Sequence, residues 1–333
     1  MSARSARPDE LTRRDLLKTA AGAGAALTLP GCWPAQLFSD NGLTAATAII
    51  RGDYDDNLCS VIEAGLELVP PPEVAGRRVL LKPNLVDLPR EGRPIVTHPA
   101  MIVAAAEAFR RRGAAEVTVA EGPALQRDVW QIVDAIGLTP LLAEHSLGFV
   151  DLSTAPVVAQ SNAGGRTGLD PLYYARPVWE ADVLVSMPKM KTHHWAGVSL
   201  AMKNLFGTLS GLVYGWPRNA FHRLGLHDAV LDFNFTRPAD YAIVDGIIGL
   251  EGDGPIRGTP IHVGVIVMGV NLPAVDATCA RIMGLRPERI DYLALAAGTL
   301  GPIGEAGIEQ RGESIAAVWA SFQVLAHQMA LVG

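Results

Sequence analysis

An α/β fold, with a mostly parallel sheet flanked by helices, is what this sequence predicts, and three observations carry it. Short β-rich runs alternate with helical patterns along the body of the chain. The run 78–82 reads as a buried strand and 182–187 as a strong strand. Hydrophobic residues make up 49% of the 333 residues against 19% charged, enough apolar material for a sizeable core.

The elements follow in order. Residues 44–51 read as a strand and 55–69 as an amphipathic helix. The strand 78–82 precedes a helix over 98–112, with Thr97 as the expected N-cap, Pro99 in the first turn and Gly113 as the stop. A strand at 116–120 ends at Glu121-Gly122, and 129–136 and 138–145 look helical. Periodicity is lost over 153–178, which holds Gly164, Gly165, Gly168, Pro171 and Pro177, so an irregular excursion or hairpin is expected there. The strand 182–187 precedes a helix over 199–209 and a loop over 210–224. Strands at 241–244 and 262–268 and helices at 272–283 and 288–297 complete the reading. No internal repeat and no long polar linker is visible, so 44–333 reads as one domain.

Composition excludes several classes. Long disorder needs few apolar residues, and a collagen-like chain needs periodic glycine. A formal net charge of −6 argues against a nucleic-acid binder, which needs a basic face. Three cysteines cannot build a disulfide scaffold or a four-cysteine metal site.

The first 32 residues read as an address rather than structure. Thr12-Arg13-Arg14-Asp15-Leu16-Leu17-Lys18 resembles the twin-arginine export signal, with an apolar stretch over 19–29 too short to span a bilayer. The resemblance implies the twin-arginine translocase as a partner and an extracytoplasmic product, in the periplasm or on the outer face of the cytoplasmic membrane. It also raises the expectation of a bound cofactor, since that route is used by proteins that fold before export. Leu29-Pro30-Gly31-Cys32 resembles a lipoprotein cleavage box, with Pro30 a poor fit, which leaves a lipid anchor at Cys32 open. Residues 1–31 carry five basic and three acidic side chains, so the remainder stands at −6 − 2 = −8. A linker is expected over 33–43. Cys59 and Cys279 read as buried free thiols rather than a disulfide.

In open α/β sheets ligands bind outside the carboxyl ends of the strands. Polar clusters stand at four expected strand ends: Lys82-Pro83-Asn84, Glu121-Gly122-Pro123, Pro188-Lys189-Met190-Lys191-Thr192-His193-His194, and Asp245-Gly246 followed by Glu251-Gly252-Asp253-Gly254-Pro255. Lys203-Asn204 and Gly207 sit inside an otherwise apolar helical pattern. With Thr97-His98-Pro99, His222 and Asp276, these pieces in this order resemble the domain-of-unknown-function family numbered 362, over roughly 45–315. Lys189-Met190-Lys191-Thr192-His193 and Lys203-Asn204-Leu205-Phe206-Gly207 are the most specific parts. The family is associated with iron–sulfur modules. This chain has no run of four closely spaced cysteines, so no intrinsic cluster is expected.

Four ammonium groups, Lys82, Lys189, Lys191 and Lys203, suit a small anionic ligand, a carboxylate or a phosphate. Lys203, with apolar flanks, should be half buried and should meet a counter-charge or ligand. Asn84, Asn204, Glu121 and His222 are candidate ligand-binding residues, and His193, Lys191 and Lys203 candidate catalytic groups for proton movement. Asp245, Glu251 and Asp253 have two readings: counter-ions for the lysines, or ligands for a divalent metal such as magnesium. Adjacent His193 and His194, if in a strand, would face opposite sides.

Two functions fit. One is an exported enzyme moving a proton beside a carboxylate, or running a cofactor-assisted redox step. The alternative is a non-catalytic cofactor-binding or assembly accessory protein of an extracytoplasmic redox pathway. Both expect Lys82, Lys189 or Lys191, Lys203 and Asp245 around one cleft, with Glu251 or Asp253 near its rim.

Overall fold

Apolar residues on both faces of the central strands explain the layering seen in the computed structural model, which describes residues 42–89, 92–123, 128–215 and 219–333. The export signal, Cys32 and the linker up to residue 41 lie outside the described residues. Strand β1 (Ala45–Arg51) leads to helix α1 (Leu58–Leu68), which Asn57 caps by accepting from Ser60 N. Strand β2 (Arg78–Pro83) leads to helix α2 (Pro99–Arg111). The cap of α2 is His98, whose Nδ1 accepts from Ala100 N, not Thr97. Thr97 instead ties two strand ends together, its hydroxyl accepting from Asn84 N and donating to Met187 O.

Strand β3 (Glu116–Glu121), helices α3 (Val129–Ala135) and α4 (Leu138–Glu144) and strand β4 (Gly148–Asp151) match the expected order. The excursion is a separate two-stranded antiparallel hairpin, β5 (Val157–Gln160) and β6 (Leu172–Ala175), followed by the short helix α5 (Arg176–Glu180). The carboxylate of Asp232, which comes from the later helix over Asn219–Thr236, anchors the hairpin's tip by accepting from Arg166 N, Thr167 N and the Thr167 hydroxyl.

Strand β7 (Val183–Met187) is broken by Pro188 and resumes as β8 (Lys189–His193), which turns back into β9 (Gly197–Ser199). The expected helix over 199–209 is one α turn, α6 (Ala201–Asn204), running into a 3-10 turn over Leu205–Thr208. Thr208 ends it by donating its hydroxyl to Leu205 O. Within the expected loop, α7 (Gly211–Tyr214) forms, and α8 (Asn219–Thr236) starts before the loop was expected to close, with a break at Gly225, where φ is 121°. Strands β10 (Tyr241–Glu251) and β11 (Thr259–Gly269), helices α9 (Leu272–Ile282) and α10 (Asp291–Ala296) and strand β12 (Ile308–Gly312) follow.

Strand β10 runs well past the expected 241–244, through a bulge between Gly246 and Ile248. Asp245 is therefore inside a buried strand, not at its end. The charge is tolerated because Lys189 is its register partner on β8.

The sheet order is β12-β1-β11-β10-β7-β2-β3-β4, with β8 and β9 continuing beside β10. Neighbours from β10 to β4 are parallel; β11 is antiparallel to both β1 and β10. Alternate residues of β2 show how both faces fill. Val79 and Leu81 pack with α1 through α4, and Leu80 packs with α6, α8, α9 and α10. Lys82, two residues after Leu80, shares the second face, and this puts its ammonium under α6. Cys59 and Cys279 are free and buried.

Candidate functional site: a lysine-lined cavity

The carboxyl ends of β2, β3 and β7 lie side by side, Lys82 beside Ser186 and Leu81 beside Val119 in register. A cavity of about 280 Å³ opens above them. It is lined by Lys82, Asn84, Glu121, Lys191, His193, Lys203, Asn204 and His222 among others. Its apolar wall comes from Val86, Leu200, Phe206, Ile256 and Trp195, whose ring is 65% exposed at the rim.

Its floor is a closed polar network. Lys82 Nζ is 2.7 Å from Glu121 Oε1 and donates to Pro83 O and Asn204 Oδ1. Glu121 also accepts from Gly122 N and Leu85 N. The Asn204 amide donates to Lys82 O and the Ser186 hydroxyl. Asn84 donates to Asn204 Oδ1 and accepts from Lys191 Nζ at 2.6 Å. Lys191 donates again to Ile95 O. Burial, then the charges of Lys203 and Lys189, hold the Lys191 amine well below the ordinary lysine range.

Gly207 is what lets the 3-10 turn lie on this floor. A Cβ there would come within 2.3 Å of Glu121 Oε1 and 2.8 Å of Lys82 Nζ. Gly207→Ala should therefore push the turn off the ion pair and cost about 1–3 kcal/mol, read as a lower denaturant midpoint. A wild-type midpoint in that variant would mean the turn can shift freely.

Lys203 differs from the other lysines. Its Nζ makes no hydrogen bond or ion pair among the described residues and lies 5.1 Å from the centre of the Phe206 ring. Burial alone brings its amine down to about 8. The segment that carries it is set by Asp276 on α9, whose carboxylate accepts from Ala201 N at 2.7 Å, Met202 N and the Tyr292 hydroxyl. Burial pushes that carboxyl up to about 7 against those three donors.

His193 ends β8 with Nδ1 accepting from Trp195 N and Ala196 N. Two donors on Nδ1 place the ring proton on Nε2 and keep the ring neutral. Burial, then the Lys203 charge, lowers it well below the usual histidine range. His194 is not on the opposite face of a strand. It begins the turn, its ring stacking on His193 with centres 4.8 Å apart.

Lys189 is not part of this cavity. It is buried against Asp245 at 3.0 Å and donates to the Tyr54 hydroxyl, while Tyr54 donates to Asp245 and stacks on His98. Asp245 also accepts from His98 N. Glu251 accepts from Gln323 N, and Asp253 lies 3.8 Å from His194. The three carboxylates do not converge, which corrects the metal-ligand reading of Asp245, Glu251 and Asp253. Among the described residues no group of three or more His, Cys, Asp or Glu could hold a metal ion. Tyr54 and Trp195 were not expected at all; the only signal for Trp195 is its place directly after the paired histidines.

Residues 79–281 match the Domain of unknown function (DUF362) family, more than half of the chain. The chain belongs to the DUF362 family. Residues 10–30 match the TAT (twin-arginine translocation) pathway signal sequence. This signal directs export across a membrane through the twin-arginine translocase. Among the described residues no helix is long and apolar enough to cross a membrane. The DUF362 chain is 28% identical over 223 residues to the thylakoid-associated protein sll1697 of Synechocystis sp., covering 66% of this chain and 67% of that protein. Among solved structures it is similar to the lactate racemase apoprotein from Thermoanaerobacterium thermosaccharolyticum, at 13% identity and a TM-score of 0.41, covering 67% of this chain and 55% of that one. A structural-genomics target from Thermotoga maritima gives 13% identity and a TM-score of 0.41, with 69% and 59% covered.

Proposed function

We propose that this exported DUF362 protein binds a small anionic ligand, a carboxylate or a phosphate, in the lysine-lined cavity of a single α/β domain over 44–333. The observation that carries the reading is Lys203: an ammonium at the cavity wall with no counter-charge among the described residues. Lys82 is cancelled by Glu121, so the Lys203 ammonium leaves the site with surplus positive potential, and an anion beside it would favour the charged form of Lys191 as well. An anion would satisfy both and add dispersion contact along Phe206 and Leu200. His193 offers Nε2–H beside them, so a proton could be moved next to a bound carboxylate.

The test is thermal unfolding with phosphate, acetate and benzoate in turn. At roughly a hundred times Kd a ligand adds about 2.7 kcal/mol, a rise of about 4–5 °C for a domain of this size. Lys203→Met should remove the rise. Unchanged melting of the wild type in all three anions, or an equal rise in the variant, counts against the site.

A further inference from the structure

We infer that Lys203 forms an imine with the carbonyl of a 2-oxo acid held in this cavity, with Lys191 binding the neighbouring carboxylate. This deepens the anion-binding reading and rests on it.

Of the four lysines, two are committed elsewhere. Lys82 Nζ has three acceptors and Lys189 is locked to Asp245 and Tyr54, so neither nitrogen can approach a substrate carbon without breaking a buried ion pair. Lys191 spends two donors on Asn84 and Ile95 O and keeps one position for a ligand oxygen. Only the Lys203 nitrogen stands in the cavity without a polar partner among the described residues. Its stem rests on Phe206, and desolvation leaves a useful neutral fraction near neutral pH. His193, with Nδ1 occupied, has Nε2–H to donate to a carbonyl oxygen. Anion site, amine and neutral donor together suit a carboxylate and a carbonyl on adjacent carbons.

The step balances without any further reagent. The Lys203 lone pair forms the C–N bond, and the carbonyl π pair moves to oxygen. Both protons lost by the ammonium go to that oxygen, which leaves as water, and the product is a protonated imine. His193 lowers the barrier by hydrogen bonding and loses no proton.

The experiment incubates the full chain with pyruvate and cyanoborohydride, followed by intact mass and peptide mapping. One reduced pyruvyl adduct on Lys203 is expected, suppressed by excess benzoate, which has a carboxylate but no keto group. Lys203→Arg should give none while keeping its circular dichroism spectrum. Adducts confined to other lysines overturn the imine. So does the absence of any adduct where benzoate still raises the melting temperature, and in that case anion binding survives. If neither adduct nor melting shift appears, both readings fall together.

Discussion

Lys82→Met should cost about 3–5 kcal/mol of folding stability, because it strands a buried carboxylate. Glu121 is 2% exposed, and without the ammonium it keeps only the Leu85 and Gly122 amides. The Asn204 carbonyl loses a donor in the same step, and with it part of the contact that ties α6 to β2. Lys82→Met combined with Glu121→Leu should recover most of the loss, since removing both charges leaves no uncompensated ion. Denaturant titration of the singles and the double reads this directly. A single variant losing under about 1 kcal/mol would show the pair to be far wetter than its geometry indicates.

Lys203→Met should do the reverse. The folded protein holds this amine at about 8 against an ordinary 10.5. The unfolded chain therefore binds more protons between those two values, and stability rises with pH across that window. Below pH 8 the half-buried ammonium costs the fold up to roughly 3 kcal/mol, less where water reaches it. Methionine removes the cost, so the variant should be more stable than wild type at pH 7. The advantage should shrink as pH climbs toward 10.5. The same variant should lose anion binding, so stability and binding move in opposite directions. A variant destabilised at pH 7, with no pH-dependent gap, would refute the account of Lys203 as a desolvated, uncompensated charge.

These two lysines show how far the sequence could be read. The alternation of apolar runs and helical patterns made the α/β fold legible, and the apolar flanks of Lys203 marked it as half buried. Lys82, Asn84, Glu121, Lys191, His193, Lys203, Asn204 and His222 are gathered at one cavity because β2, β3 and β7 end together. Of the two alternatives, Lys189 or Lys191, the cavity takes Lys191, while Lys189 and Asp245 pair outside it. A strand's sequence does not say where it stops when its charge is cancelled by a neighbour in register, and β10 continues for six residues past Asp245. Nor does local pattern reveal that Tyr54, 191 positions before Asp245, closes over that pair. The one-turn α6 was hidden for a similar reason: the carboxylate that caps it, Asp276, arrives from a distant helix.

Strand β1 sits between β11 and β12, pairing Ala48 with Met268 and Ala45 with Ile308. The strand nearest the export signal is thus clasped by two segments the ribosome makes much later. Until residues 259–312 have emerged, β1 has no neighbour on either side, and its amide groups stand open to any other chain. The segment beside the export signal therefore gains both of its neighbours only once the chain has been made as far as residue 312 and folded back onto it.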